Sequence, residues 1–452
     1  MSLLRRLRNL PQSAVHIAQH TFFSQRFRHY QHLRRQRFGM DLSALRTPGR
    51  PGLVSIVLPV FNGADLMSSA ILSICAQTYS DWELVIINDG SNDNTAELAE
   101  HFAARDPRIR VFHQENRKIP RTLSRGFRLA DGEFFTWTSA DNRLKPDFLS
   151  RFVDCFHRHP DWDVAFANQD LIGEDGLPLR NSDYYCEYQT PKGSEHIYLP
   201  QRTDMLHSAG NLVGGAFMYR SRAAHILGDY SPFRFTVEDY DYWLLADTLL
   251  GVHHVDFLSP VYEYRFHSGS LTSRAKELRI REATEKLLAW DRFRQDYCLS
   301  PLYVVLDASA QAADSPVWLD VKQQLRNASH RIISLSALLQ HGFPTTHATA
   351  VYLRADLAAE CRLPPPSGIP KGVLSAFLLC DQESTIPTDI HPDWDVVLAL
   401  GPGDVPHLGT QDTRYQGLWR SPDSHTLVRA LDCRARVEAL RTIETQTASA
   451  KS

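Results

Sequence analysis

A chain of 452 residues that is 43% apolar and 22% charged has the make-up of a soluble globular protein with room for two or three domains, and no apolar run reaches the roughly 18 residues a membrane span requires. The net charge of −3 hides an asymmetry: residues 1–50 carry ten Arg, no Lys and one acid, Asp41, which leaves 39 bases against 51 acids, a balance of −12. An acidic body argues against an extended nucleic-acid-tracking surface, and seven scattered cysteines without a CxxC pair argue against a disulfide framework and for reduced thiols in a cytosolic setting.

The basic arm over residues 1–50 mixes Arg with Leu, Phe and Tyr, as in "MSLLRRLRNL" and "FFSQRFRHYQHLRRQRF". That is the composition of an amphipathic helix on an anionic membrane surface, so a cytoplasmic protein, peripheral at the inner face of the plasma membrane, is one expectation. A solvated, poorly ordered N-terminus accounts for the arm equally well, and a transit peptide has the same Arg-rich, acid-poor character.

After the linker "RTPGRPG", the continuous apolar run Leu53–Val60 predicts a strand buried on both faces. Leu66, Ala70 and Ile74 recur every four residues and predict a helix over Asp65–Gln77. "WELVIIND" is a second buried strand that ends in the turn "NDGSNDNT", and "RIRVF" is a third. A helix over Thr122–Ala130 and a strand over Glu133–Thr138 continue the alternation. Crossovers of this kind place the strands parallel and bring three polar strand ends to one edge: Pro59–Asn62, Asn88–Gly90 and Ser139–Asn142.

The acids on that edge have both plain and chemical readings. Asp89 in "NDG" is a common turn residue, yet a strand-end carboxylate can accept a ribose hydroxyl or a base N–H. Asp141, beside Ser139 and Asn142, is a turn cap or a hard oxygen ligand for Mg²⁺ or Mn²⁺ shared with a diphosphate. Glu238 and Asp239 open a helix in "FTVEDYDYWLLAD", where the helix dipole favours acids anyway, but two adjacent acids also fit a general base near an acceptor hydroxyl. "YEYRFHSGS" adds Arg265, a fork-shaped phosphate donor, and His267, a phosphate or metal partner.

Taken in order, "VSIVLPVFNGADLMSSAILSICAQTYSDWELVIINDGSNDNT", "ADGEFFTWTSADN", "GGAFMYR", "VEDYDYW" and "YRFHSGSLT" resemble the family 2 glycosyltransferases of GT-A fold over about residues 53–275. The resemblance implies an α/β chain with a Rossmann-like nucleotide-sugar-binding sheet, a divalent metal (Mg or Mn), and transfer with inversion from a nucleoside-diphosphate sugar, UDP-sugar by default. Pro59, Phe61 and Asn62 match the first nucleotide-binding turn; Asp89 matches the acid that contacts base or ribose, with Gly90 after it. Asp141 matches the second acid of the DxD motif, Asp239 the catalytic base with Glu238 beside it, and Arg265 and His267 a distal phosphate- or metal-contacting segment. Ser139 stands where the first DxD acid belongs, and Asn142 follows the second, so a weaker hold on the metal is expected. The aromatic insertion over residues 175–212 suits a saccharide or lipid-linked saccharide acceptor in cell-surface polysaccharide synthesis, or simply loop packing.

Beyond residue 300, "PLYVVLD", "HATAVYLRAD", "GVLSAFLLCD" and "DWDVVLALGP" predict a second, smaller α/β domain. The expected division is therefore an arm (1–50), a glycosyltransferase domain (51–299), an accessory domain (300–443) and a disordered tail (444–452). A catalytically weak or inactive binding or scaffold protein on the same fold is the alternative that Ser139 and Asn142 suggest. A nucleotidyltransferase would need a Gly-rich basic loop after the first strand, which "PVFNGADL" does not provide.

Overall fold

The computed structural model describes residues 42–184, 190–201, 203, 206–298, 303–308, 316–328, 330–333, 350–355, 373–379, 394–400, 405 and 417–449. Most of the basic arm, and part of the aromatic insertion, lie outside the described residues. Residues 41–452 form one compact unit.

The chain opens with β1 (Arg50–Val60), α1 (Ala64–Cys75), β2 (Trp82–Asn88), α2 (Thr95–Ala103), β3 (Ile109–His113), α3 (Lys118–Arg128) and β4 (Gly132–Trp137). The expected alternation holds, with α3 starting four residues earlier than the apolar pattern suggested. β5 (Arg143–Leu144), α4 (Phe148–Arg158), β6 (Val164–Ala167), β7 (Asp170–Ile172), α5 (Leu206–Ala209), β8 (Phe217–Arg220) and α6 (Ser221–Leu227) follow. Next are α7 (Glu238–Leu249), β9 (His253–Val255), β10 (Tyr262–Arg265) and α8 (Ile280–Cys298). The last set is β11 (Tyr303–Ala308), α9 (Pro316–Asn327), β12 (Arg331–Ile333), β13 (Ala350–Ala355), β14 (Leu374–Leu379), β15 (Val396–Leu400), β16 (Gly417–Ser421) and α10 (Ser424–Ser449).

The main sheet has the order β3-β2-β1-β4-β8-β6-β9. β1 pairs parallel with β2 from Val54↔Trp82 to Val60↔Asn88, and parallel with β4 up to Val57↔Trp137. Because strands buried on both faces have no polar face to spare, β2 is buried along its whole length and Val54, Ile56, Val57 and Leu58 of β1 are inaccessible. Helix α3 lies so close to β1 that a Cβ on Gly126 would sit 2.4 Å from Val57 Cγ1, so only glycine fits there. A small sheet, β5-β10-β7, adjoins the site, and a six-stranded parallel sheet, β12-β11-β13-β14-β15-β16, forms the C-terminal part.

Two expectations about boundaries are revised. Leu42 and Leu45 are buried, and Arg46 exchanges backbone hydrogen bonds with Arg420 of β16, so residues 42–50 belong to the folded body rather than to the arm. The segment expected as a disordered tail continues α10 to Ser449, because the helix runs on unbroken from its buried portion, which includes Leu431, Val437 and Leu440. Among the described residues no helix is long and apolar enough to cross a membrane.

Beneath α7 lies a buried ionic network that the sequence did not advertise. His207 Nδ1 is 2.7 Å from Asp291 and its Nε2 3.0 Å from Asp247, while Arg294 of α8 bonds both Asp291 and Asp241 at 2.8 Å. Burial alone would lower the His207 pKa, but Asp291 and Asp247 together outweigh it and raise it to about 9.

Two outcomes follow from this packing. Gly126→Ala should destabilise the chain by roughly 1–3 kcal/mol through overpacking against Val57, measured by denaturant unfolding. Because the His207 pKa is raised on folding, its stabilisation is complete below about pH 6.5 and lost as pH rises through about 9. His207 should contribute a fall on the order of 3 kcal/mol to unfolding free energies taken between pH 6 and 10, and His207→Gln should remove that contribution.

Candidate active site

Parallel pairing sets the ends of β1, β2 and β4 along one edge. Pro59 lies past the last β4 partner of β1, where its missing N–H forfeits no ladder bond on that side. The next turn is stitched to the turn after β2. The Asn62 N–H donates to Ser91 Oγ at 2.9 Å, the Asn92 N–H to Asn62 Oδ1 at 2.8 Å, and the Gly63 N–H to Thr95 Oγ1 at 2.9 Å. Asn62 has a φ of 51°, a left-handed conformation Asn tolerates better than most residues, and Phe61 beside it is 49% exposed. The turn is thus rigid in its backbone and open at its aromatic ring.

Asp89 is buried and heavily used. Its carboxylate accepts from Gln114 Nε2 at 2.6 Å, from the Arg117 N–H at 2.8 Å and from the Lys118 N–H at 3.0 Å. It therefore caps the start of α3, and Gly90 turns the chain with a φ of 77°.

After β4, the run closes on Asp141. Thr138 Oγ1 meets the Tyr262 hydroxyl at 2.9 Å, and Asn142 Oδ1 accepts the Arg265 N–H at 2.8 Å. Ser139, half-buried, contributes its carbonyl to the Asn142 N–H. His267 Nε2 lies 3.0 Å from Asp141 Oδ2, and this hydrogen bond raises the His267 pKa. Asp141 Oδ1 is buried and has no hydrogen-bond partner. Asp141 and His267, each expected to be a metal ligand, thus lie side by side, and Arg265 is placed against the same turn. Its Nε donates to the Asp141 carbonyl at 2.8 Å and its Nη1 to the carbonyls of Gly173 and Glu174 at 3.0 and 2.9 Å, and the Arg265 side chain is itself buried. Arg265 is therefore a brace for the Asp141 turn, its fork turned to carbonyls rather than to a phosphate. Asn142 likewise serves the turn, so an acid in its place would lose the Arg265 bond only by rearranging it.

Glu238 and Asp239 open α7. Asp239 accepts from Asn211 Nδ2 at 2.7 Å and from the Tyr240 N–H at 2.7 Å, and it keeps partial access to solvent. Burial pushes its pKa up while those two N–H groups pull against it. Glu238 is only 5% exposed and its Oε2 has no partner; burial first, then the Asp239 charge, push its carboxyl up to about 8. Glu238 has only backbone N–H groups to set against burial and the Asp239 charge, whereas Asp239 also has the Asn211 amide, so the pair ionises at Asp239 first. Sequence reasoning missed Asn211, since a lone Asn in "SAGNLV" carries no pattern. Tyr264 of β10 shares a hydrogen bond with Thr272 Oγ1 at 2.7 Å and stacks on Tyr184. Burial raises its pKa to about 12, and both the Asp141 and the Asp239 carboxylates add to the shift.

Among the described residues no group of three or more His, Cys, Asp and Glu side chains forms a ready cation cage. Asp141 with His267 is a two-donor site. Such a site suits a hard divalent ion that takes its other ligands from a diphosphate and water, and the partnerless Asp141 Oδ1 fits that use.

Residues 55–227 match the family model described as "Glycosyl transferase family 2". An uncharacterized glycosyltransferase of Rickettsia felis is 31% identical over 220 residues, 48% of this chain and 34% of that one. An uncharacterized glycosyltransferase of Rickettsia typhi is 34% identical, covering 47% of this chain and 64% of its own, and the putative glycosyltransferase EpsH of Bacillus subtilis is 26% identical, covering 49% and 63%. The match thus spans about a third of the first relative and less than two thirds of the others. Among solved structures, S. aureus TarS 1-349 in complex with UDP-GlcNAc is similar at 15% identity with a TM-score of 0.42, covering 55% of this chain and 70% of that one. The mannosyltransferase PcManGT from Pyrobaculum calidifontis, in complex with GDP-Man and Mn²⁺, is similar at 15% identity with a TM-score of 0.37, covering 73% and 88%. Scores this low carry no argument by themselves. Residues 55–227, with the parallel α/β edge that presents Asp89 and Asp141, belong to glycosyltransferase family 2.

Proposed function

We propose that the protein transfers a sugar, with inversion, from a nucleoside-diphosphate donor to a hydroxyl of a saccharide or lipid-linked saccharide, in the assembly of a cell-surface polysaccharide or glycolipid. The observation that carries this reading is a pair of unlike acid sites, each with a partner that suits it to a different task. Asp141 has a free buried oxygen beside His267, and Asp239 has its oxygens oriented by Asn211 and the α7 backbone. A UDP-sugar remains the default donor from the family resemblance.

In this mechanism Asp239 is the base. Asn211 and the Tyr240 N–H fix its carboxylate and oppose the upward pull of burial on its pKa, while Glu238 retains its proton at neutral pH and so adds no second negative charge. Asp239 takes the acceptor hydroxyl's proton as that oxygen bonds to the anomeric carbon. The bond to the diphosphate breaks on the opposite face, and its electron pair leaves with the nucleoside diphosphate. A divalent cation held by Asp141 and His267 would supply charge neutralisation for that leaving group. Arg265 and Asn142 keep the Asp141 turn in place, and Asp89 fixes the start of α3 beside the nucleotide-binding turns. Phe61 and the Pro59–Asn62 turn offer an aromatic face and backbone for the base.

Ser139 in place of the first DxD acid, and Asn142 after the second, favour a second reading, a scaffold of the same fold with little or no turnover. Two experiments separate them. Asp239→Asn should leave nucleotide affinity within about twofold and lower turnover by a factor of about 10²–10⁴, whereas Glu238→Gln should stay within about tenfold of wild type at pH 7. Near-normal turnover in Asp239→Asn removes Asp239 from the base role. Titrating UDP, GDP, CDP and dTDP calorimetrically with Mn²⁺ or chelator should show cation-dependent binding of one nucleotide, weakened at least about tenfold by Asp141→Ala. No binding by any of the four favours the scaffold.

A further inference from the structure

We propose that Glu444, near the end of α10, is a positioning residue for the transferase site: it clamps residues 231–237 and through them sets the Glu238–Asp239 pair. The inference rests on the transferase reading above. It concerns the very segment, 444–452, whose composition suggests a disordered tail.

The clamp is built from three contacts. Ser231 Oγ donates to Glu444 Oε2 at 2.8 Å, and Arg234 Nη2 lies 2.6 Å from Glu444 Oε1, with both side chains largely buried. The Arg234 guanidinium also lies over the Trp290 ring of α8 at 5.7 Å. Ser231 and Arg234 are the two ends of a backbone turn, since the Arg234 N–H donates to the Ser231 carbonyl at 3.2 Å. Arg234 begins the next turn as well, its carbonyl accepting the Val237 N–H at 2.9 Å. One carboxylate therefore holds both ends of the first turn, and the second turn delivers the chain directly to Glu238. Within the second turn Thr236 has a φ of 77°, a left-handed backbone that a β-branched residue adopts only when its surroundings impose it.

The loop has a second set of anchors that does not involve Glu444. The Tyr230 N–H donates to Ser124 Oγ at 3.0 Å, and the Tyr230 ring stacks on Tyr242 at 4.2 Å. Arg441 donates to the carbonyls of Leu227 and Asp229 at 2.7 and 2.6 Å. These keep the start of the loop on the protein when Glu444 is removed. Glu444 bears instead on residues 231–237, which also carry Phe235, whose ring lies 6.0 Å from the Lys118 ammonium. Residues 231–237 thus run from the Asp89–Lys118 corner to the candidate base, and a small displacement there moves the base.

The test uses the full chain and Glu444→Ala, Glu444→Gln, Arg234→Ala and the Glu444→Ala/Arg234→Ala double variant. Four quantities are measured: turnover of the nucleotide-sugar, nucleoside-diphosphate Kd by calorimetry, the melting midpoint, and amide exchange over residues 231–240. Glu444→Ala should lower kcat about tenfold or more, with Kd within twofold, a nearly unchanged melting midpoint and faster exchange confined to 231–240. Arg234→Ala should match it, and the double variant should be no worse, because the two residues act as one device. Glu444→Gln, which keeps an acceptor for Ser231, should fall between. Wild-type kcat in Glu444→Ala, or unchanged exchange in 231–240, overturns the clamp. So does a loss of kcat that only follows the melting midpoint, which Glu444→Gln would then track. A wild-type chain that binds no nucleoside diphosphate and shows no turnover overturns the transferase reading, and this role with it.

Discussion

The in-register parallel pairing of β1 with β2 on one side and β4 on the other is the constraint on which the rest of the site depends. Val60 faces Asn88 and Val57 faces Trp137, so the three following turns start from one edge. A slip of one residue would turn every side chain of β1 to the opposite face. Inaccessible Val54, Ile56, Val57 and Leu58 forbid it, since both faces of the strand are already filled. With the edge fixed, the turns hold one another through Asn62, Ser91, Thr95 and Asp93 rather than through the core. The apolar interior sets where the polar groups arrive, and the polar groups then set their own orientation.

The acids on this edge fall into two kinds. Asp89 accepts three N–H bonds and is complete as it stands. Asp141 and Glu238 each leave one buried carboxylate oxygen without a partner. Leaving such a group unmatched costs about 1–3 kcal/mol, so a fold retains it where something else meets it or where a proton does. For Glu238 the proton is the natural answer, because burial and the neighbouring Asp239 push its carboxyl up. For Asp141 the adjacent His267 already occupies the other oxygen, which leaves a single direction open for an incoming cation or donor.

The strands were legible because buried parallel strands are written as unbroken apolar runs, and Asp89, Asp141 and Asp239 were legible because each stands at an element's end. What those residues do was less so. The sequence "YRFH" shows an Arg beside a His, but whether the guanidinium faces a phosphate or three carbonyls depends on where residues 141, 173 and 174 come to lie. Asn211 and His207 meet their partners across 28, 40 and 84 residues, a separation no local pattern encodes. The end of α10 misled for a different reason. A polar helix turn with one buried contact, at Glu444, has the composition of a solvated tail, and the contact that orders it comes from residues 231 and 234.

The same helix explains why the C-terminal part is more than an appendage. Helix α6 ends with carbonyls that no further turn can satisfy. Arg434 and Arg441 of α10 reach two of them, at His225 and Leu227. Gly228 follows with a φ of 65°, a left-handed backbone that favours glycine, and the ends of Arg434 and Arg441 close over it. Only beyond this closure does the chain turn through residues 229–237 toward the acid pair. The helix that seals the six-stranded sheet therefore also completes the hydrogen bonding of the segment that carries the candidate base, and the two parts of the chain share the cost of holding it.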